Sequence, residues 1–186
     1  MKQLALLFLL FPILISCVEY SPKPTGYFRI DINEPTYQTI ETFETFRFEL
    51  TDSARLIKYE KQDTENFNIV YDKLNAEIFC TFIPIKNNNI AELSEESRKF
   101  VHLQVIKADA IHEIAFENSE QSVYGMVYQI KGNVASPTQF VLTDSVSSFF
   151  RGALFFNNTP NQDSIAPVLE YINKDIQVII ESFQWK

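Results

Sequence analysis

The sequence predicts an α+β domain, a mainly antiparallel sheet covered by two helices. Most of the chain alternates apolar and polar residues at a period of two, the pattern of half-buried strands. Two segments switch to steps of three and four, the pattern of amphipathic helices. The resulting order of strands, helix, strands, helix argues for α+β architecture on an antiparallel sheet.

Taken in order, the chain opens with Lys2 and an apolar run from Leu4 to Ile15, closing on Leu14-Ile15-Ser16-Cys17. A spanning helix needs about 20 apolar residues, so this run reads as a signal peptide. An apolar residue at −3, a small one at −1 and a thiol at +1 form the cleavage pattern of lipoproteins. Residues 1–16 are therefore expected to leave and Cys17 to carry diacylglycerol; an ordinary secretory leader with a chance cysteine is the alternative. Residues 17–25 read as a lipidated tether, in which Pro22 and Pro24 favour an extended path of about 3.1 Å per residue. A single globular domain is expected over 26–186.

Strands are predicted at Tyr27–Asp31, through Phe43, Phe46, Phe48 and Leu50, over Ala54–Tyr59, through Phe67, Ile69 and Tyr71, and over Ile78–Ile83. The polar cluster Lys86-Asn87-Asn88-Asn89 breaks the pattern. Asn89 with Glu92 resembles a capping box and opens a helix over 89–106, whose inner face is Ile90, Leu93, Ser97, Phe100, Val101 and Gln104. Strands return at Ala110–Phe116, Val123–Ile130, Thr138–Leu142 and Phe149–Phe156. The last of these is apolar on both faces, which marks a central, covered strand. A final helix, capped by Asp163 or Ser164 with Pro167 in its first turn, carries the apolar stripe Ile165, Val168, Leu169, Ile172, Ile176, Ile179, Ile180 and Phe183. Glu170, Lys174, Asp175, Gln177 and Glu181 are assigned to its polar side.

The net charge of −8 repels phosphate backbones, so no nucleic-acid partner is expected. It also argues against anionic lipid as a docking surface, leaving acyl chains as the membrane contact. With Cys17 lipidated, Cys80 has no disulfide partner and reads as a small buried apolar residue. His102 and His112 lie in no metal-ligand spacing. No Gly-x-Ser-x-Gly elbow appears, and the four glycines make no phosphate-binding loop. Glu95-Glu96 is a solvated helix face. Gly125 and Gly152, inside strands, imply a bulge or a close approach, and Gly132-Asn133 reads as a turn. Arg151, in an apolar strand, needs a carboxylate partner if buried; an ion pair is the first reading and a ligand contact the second. No catalytic residue, metal or cofactor is expected.

Several stretches in order resemble the gliding-motility lipoprotein GldD family of the Bacteroidota. They are Pro22-Lys23-Pro24 with Gly26-Tyr27-Phe28-Arg29-Ile30-Asp31; Ile106-Lys107-Ala108-Asp109-Ala110-Ile111; Val123-Tyr124-Gly125 with Ile130-Lys131-Gly132-Asn133; Arg151-Gly152-Ala153-Leu154-Phe155-Phe156-Asn157; and Pro160-Asn161 with Asp163-Ser164 and Ala166-Pro167. A terminal Glu181-x-x-x-Trp185-Lys186 completes the set, and the stretch 36–75 matches least. The resemblance implies a non-enzymatic accessory of the gliding machinery and type IX secretion system. It would face the periplasm from the membrane, the outer membrane's inner leaflet favoured. Its partners would be other gliding and secretion lipoproteins and envelope components, and Cys17 is the functional position carried over. The element order also looks like the PsbP/Mog1-type α/β/α sandwich. The phylum further implies Asp-Ser-apolar O-glycosylation at Ser53, Ser145 and Ser164, although Asp-Ser is ordinary turn chemistry too. A binding module for a small ligand or glycan in an aromatic-lined pocket is the alternative function.

Overall fold

The computed structural model of the protein describes residues 35–59, 65–157 and 162–186. The expected signal peptide 1–16, tether 17–25, domain start at Gly26 and strand Tyr27–Asp31 lie outside the described residues. In chain order the elements are β1 (Tyr37–Ile40), β2 (Phe46–Thr51), β3 (Arg55–Tyr59), β4 (Glu65–Tyr71), β5 (Ala76–Pro84), α1 (Ile90–His102), β6 (Ala108–Asn118), β7 (Val123–Gly132), β8 (Thr138–Thr143), β9 (Ser148–Phe156), α2 (Gln162–Ser182) and β10 (Gln184–Trp185). The fold is α+β, as the periodicities predict.

Seven strands pair antiparallel in the spatial order β3-β4-β5-β9-β8-β7-β6. Two meanders, β3-β4-β5 and β6-β7-β8-β9, meet where β9 pairs with β5. The β5–β6 connection, which contains α1, carries the chain from the middle of the sheet to its far edge. A smaller sheet places β2 between β1 and β10. Neither β1 nor β10 was expected, since Tyr-Gln-Thr-Ile is short and half polar and β10 is two residues long.

The register divides the large sheet into two faces. On one lie Phe67, Ile69 and Tyr71 of β4, Ile78, Cys80 and Phe82 of β5, Phe140 and Leu142 of β8, and Phe150 and Leu154 of β9. Phe46, Phe48 and Leu50 of β2 join them, as do Val168, Ile172, Ile176, Ile179 and Ile180 of α2 and then Phe183, in one buried cluster. Phe46 has ring centroids 5.4 Å from both Phe150 and Phe183. Burying side chains of this size contributes about 1.5–3 kcal/mol each, so this layer is the main source of stability. Gly152 is opposite Phe140, and a Cβ there would lie 2.3 Å from the ring. The ring crosses bare backbone, the close approach that a strand glycine implies.

On the other face α1 buries Leu93, Ser97 and Val101, the last against Tyr128, Ile130 and Val134. Three expectations are corrected here. The Asn89 side chain accepts the Lys86 N–H at 2.9 Å instead of capping the helix, so it closes the preceding turn and there is no capping box. The helix ends at His102, and a 3-10 turn over Val105–Lys107 tightens the chain before β6. Gly132 ends β7 instead of making a turn, sitting at φ +121° opposite a bulge between Ala108 and Ala110. A Cβ there would come within 2.4 Å of the Lys107 carbonyl oxygen.

In α2 the helix begins at Gln162, which moves Pro167 past the first turn. Asp175, assigned to the polar side, is instead buried at 1% exposure. Among the described residues no helix is long and apolar enough to cross a membrane.

Candidate functional site

The covered and uncovered parts of the α1 face meet in a groove. α1 lies over the β7–β9 side, while β5 and its neighbours toward β3 have no helix above them among the described residues. Between the two runs a cavity of about 310 Å³. Phe79 of β5 and Phe155 of β9 form its sheet wall, edge to face at 5.2 Å. Phe100 and Leu103, from the end of α1 and just beyond it, form the opposite wall. Phe79, Phe100 and Leu103 are 43, 40 and 70% exposed, so the groove opens to solvent along an apolar edge.

Arg151 stands in the groove. Strand alternation turns it away from the Phe150–Leu154 face, and its register partner is Thr81. Its Nη1 is 3.4 Å from Glu96 Oε2, and its guanidinium lies 4.8 Å from the centroid of the Phe100 ring. The ion-pair reading of Arg151 is therefore the one this geometry bears out, with a cation–π contact added. Two of the polar side chains lining the groove bond within the protein. Ser97 Oγ donates to the Leu93 carbonyl at 2.9 Å, and Gln104 Oε1 accepts the Ala135 N–H at 3.2 Å. The arrangement can bind an apolar or aromatic group; among the described residues lining it there is no nucleophile–base pair.

A cluster of perturbed titratable groups lies on the opposite face of the sheet. Tyr37 Oη donates to Asp175 Oδ1 at 2.6 Å, while Asp175 Oδ2 and Tyr71 Oη are buried with no hydrogen-bond partner. Burial pushes the Asp175 carboxyl up from its ordinary value, against the pull of the Tyr37 and Tyr71 hydroxyls, and the Asp52 charge pushes the same way as burial. Burial and the same carboxylate hold both tyrosine hydroxyls above theirs. Sequence reading missed this cluster, although counting three from Ile172 lands on Asp175 and thus on the apolar stripe.

Cys80 is buried, its thiol pushed up by burial, as its apolar setting implies. His102 and His112 are exposed, one at the end of α1 and the other on β6. Among the described residues no group of three or more His, Cys, Asp or Glu could hold a metal. The three serines are dispersed. Ser53 is exposed in the β2–β3 turn, where its Oγ accepts from Tyr171 Oη at 3.2 Å. Ser145 is exposed at φ +68° in the β8–β9 loop. Asp144 organises that loop by accepting the N–H groups of Val146, Ser147 and Ser148. Ser164 is exposed in the first turn of α2. Cys17 lies outside the described residues.

No curated protein sequence matches the chain. The family model described as gliding motility lipoprotein GldD matches residues 17–185, from the cysteine of the predicted cleavage site through β10. A match of that extent takes in every strand and helix among the described residues, and the chain belongs to the gliding motility lipoprotein GldD family.

Proposed function

We propose that the protein is a lipid-anchored, periplasm-facing accessory of the gliding and type IX secretion machinery, working through protein–protein contact without catalysis. The observation that carries this reading is the family match over residues 17–185. It begins at the residue to which the leader assigns lipid. Acylated Cys17 holds the domain in the envelope, and two or three acyl chains make such an anchor effectively permanent. The groove geometry favours contact over chemistry. Its walls are apolar and aromatic, Arg151 is paired with Glu96, and the perturbed Asp175 cluster is on the other side of the sheet. A second reading, a small ligand or glycan in the groove, is favoured by its volume of about 310 Å³ and its aromatic walls.

Deleting the gene and complementing with wild type or Cys17→Ala tests the reading. Loss of colony spreading and adhesin secretion, restored by wild type alone, is expected. Normal spreading and secretion in the deletion strain overturns the gliding role; rescue by Cys17→Ala overturns the need for the anchor. On the same reading Ser53, Ser145 and Ser164 accept O-glycans, and intact-mass measurement of the envelope protein against its Ser→Ala variants reads each site directly.

A further inference from the structure

We propose that β6, at the far edge of the large sheet, is a docking edge for an extended segment of a protein partner in which apolar and basic residues alternate. This rests on the reading that the protein acts by protein–protein contact, and it names the surface and the chemistry of the partner.

β6 runs from Ala108 to Asn118 and, among the described residues, pairs on one side only, with β7. An edge strand presents a row of unpaired N–H and C=O groups, and long flat edges are usually blunted by shortness, inward charges or proline. The opposite edge, β3, is short and carries Arg55 and Lys58. β6 is eleven residues long without proline, and its one irregularity, the bulge at Ala108/Ala110, lies at its start.

The two faces of β6 differ. Ile114 pairs with Val127 and Phe116 with Gly125, on the face that looks toward α2. There Ile114, 48% exposed, and Phe116 line a cavity of about 330 Å³ with Val127, Ile176 and Ile180. A strand added beside β6 would drop alternate apolar side chains onto this edge. On the other face Glu113 pairs across to Tyr128 and Glu117 to Tyr124, both exposed. Asp109 adds a third acid near the bulge, and none of the three has an ion-pair partner among the described residues. The ladder thus offers main-chain bonds for affinity, and its two faces select apolar residues on one side and cations on the other. A second copy is the disfavoured occupant. It would bring the same acids to the same edge of a chain whose net charge is −8.

The test uses the full chain in detergent and two synthetic octapeptides, one alternating Lys with Val and one alternating Glu with Val. Amide hydrogen exchange read residue by residue should show alternate β6 amides slowed by the Lys-Val peptide and unchanged by the Glu-Val peptide. The double variant Glu113→Lys/Glu117→Lys changes only exposed side chains and keeps the fold. It should weaken Lys-Val binding by about tenfold or more, since each tenfold step is about 1.4 kcal/mol, and should gain binding of Glu-Val. Equal binding of Lys-Val by parent and variant, protection away from β6, no protection at all, or protection of β6 through self-association overturns the proposal. The result is independent of the gliding phenotype: a deletion strain that glides normally removes the pathway assignment and leaves the edge measurement standing.

Discussion

Asp175 is the residue whose environment departs furthest from its sequence expectation. It sits under β1 and β4 with one oxygen bonded to Tyr37 and the other facing no donor at bonding distance. Its carboxyl is held above the ordinary value chiefly by burial, so between that ordinary value and the raised one the folded state binds more protons than the unfolded state. Stability from this group is therefore greatest at acid pH and falls as pH rises through the raised value. Asp175→Asn keeps an acceptor for Tyr37, supplies an N–H toward Tyr71 and removes the buried charge. We expect the variant to be more stable than the parent at pH 7.5, with the gap closing toward pH ~4, near the ordinary carboxyl value. Urea midpoints of both proteins at the two pH values read this directly. A parent more stable than the variant at pH 7.5 would show that the charge itself is needed by its tyrosine neighbours. Asp175→Ala, by contrast, strands the Tyr37 hydroxyl and should cost about 1–3 kcal/mol at either pH.

At the scale of elements, β8 and β9 approach closely where Phe140 crosses Gly152. Gly152→Ala places a methyl against the Phe140 ring, and overpacking of this kind costs about 1–3 kcal/mol. Shortening the ring in Gly152→Ala/Phe140→Leu should recover part of that loss. A double variant as unstable as the sum of two singles, measured by urea unfolding, would argue against direct contact. The strands of this layer were legible, β4 because Phe67, Ile69 and Tyr71 repeat at a period of two and β9 because it is apolar on both faces. The long stripe from Val168 to Ile180 made α2 legible in the same way. The groove was not legible. Phe79 meets Phe155 only through the β5–β9 register, and Phe100 meets Arg151 only because α1 folds back over β9; neither neighbour is written in local periodicity. Sequence reading singled out Arg151 as anomalous and left its partner unnamed. The start of α1 misled it because Asn89 had a nearer donor, the Lys86 N–H, in its own turn.

For the whole molecule, the decisive contacts join distant ends of the described chain. β2 is held by β10, Gln184 pairing with Arg47 and Trp185 with Phe46. Phe183 is fully buried, its ring centroid 5.1 Å from that of Phe150 and 4.7 Å from that of Trp185. Lys186 Nζ donates to the Phe43 carbonyl at 2.8 Å. Removing residues 183–186 takes away one wall of the main cluster. Truncating a single buried Phe costs about 3–5 kcal/mol, against a total stability of about 5–15 kcal/mol for a domain. The shortened chain is expected to lose cooperative unfolding and near-ultraviolet circular dichroism; a sharp transition close to that of the parent would mean β10 is dispensable. The same closure sets a clock. Because Phe183 and β10 close the main cluster against β2, the core stays incomplete until residues 183–186 dock, and long-range pairing of this kind folds slowly. A chain so arranged remains pliable until that docking, the state in which a polypeptide can be threaded through a narrow channel before it locks.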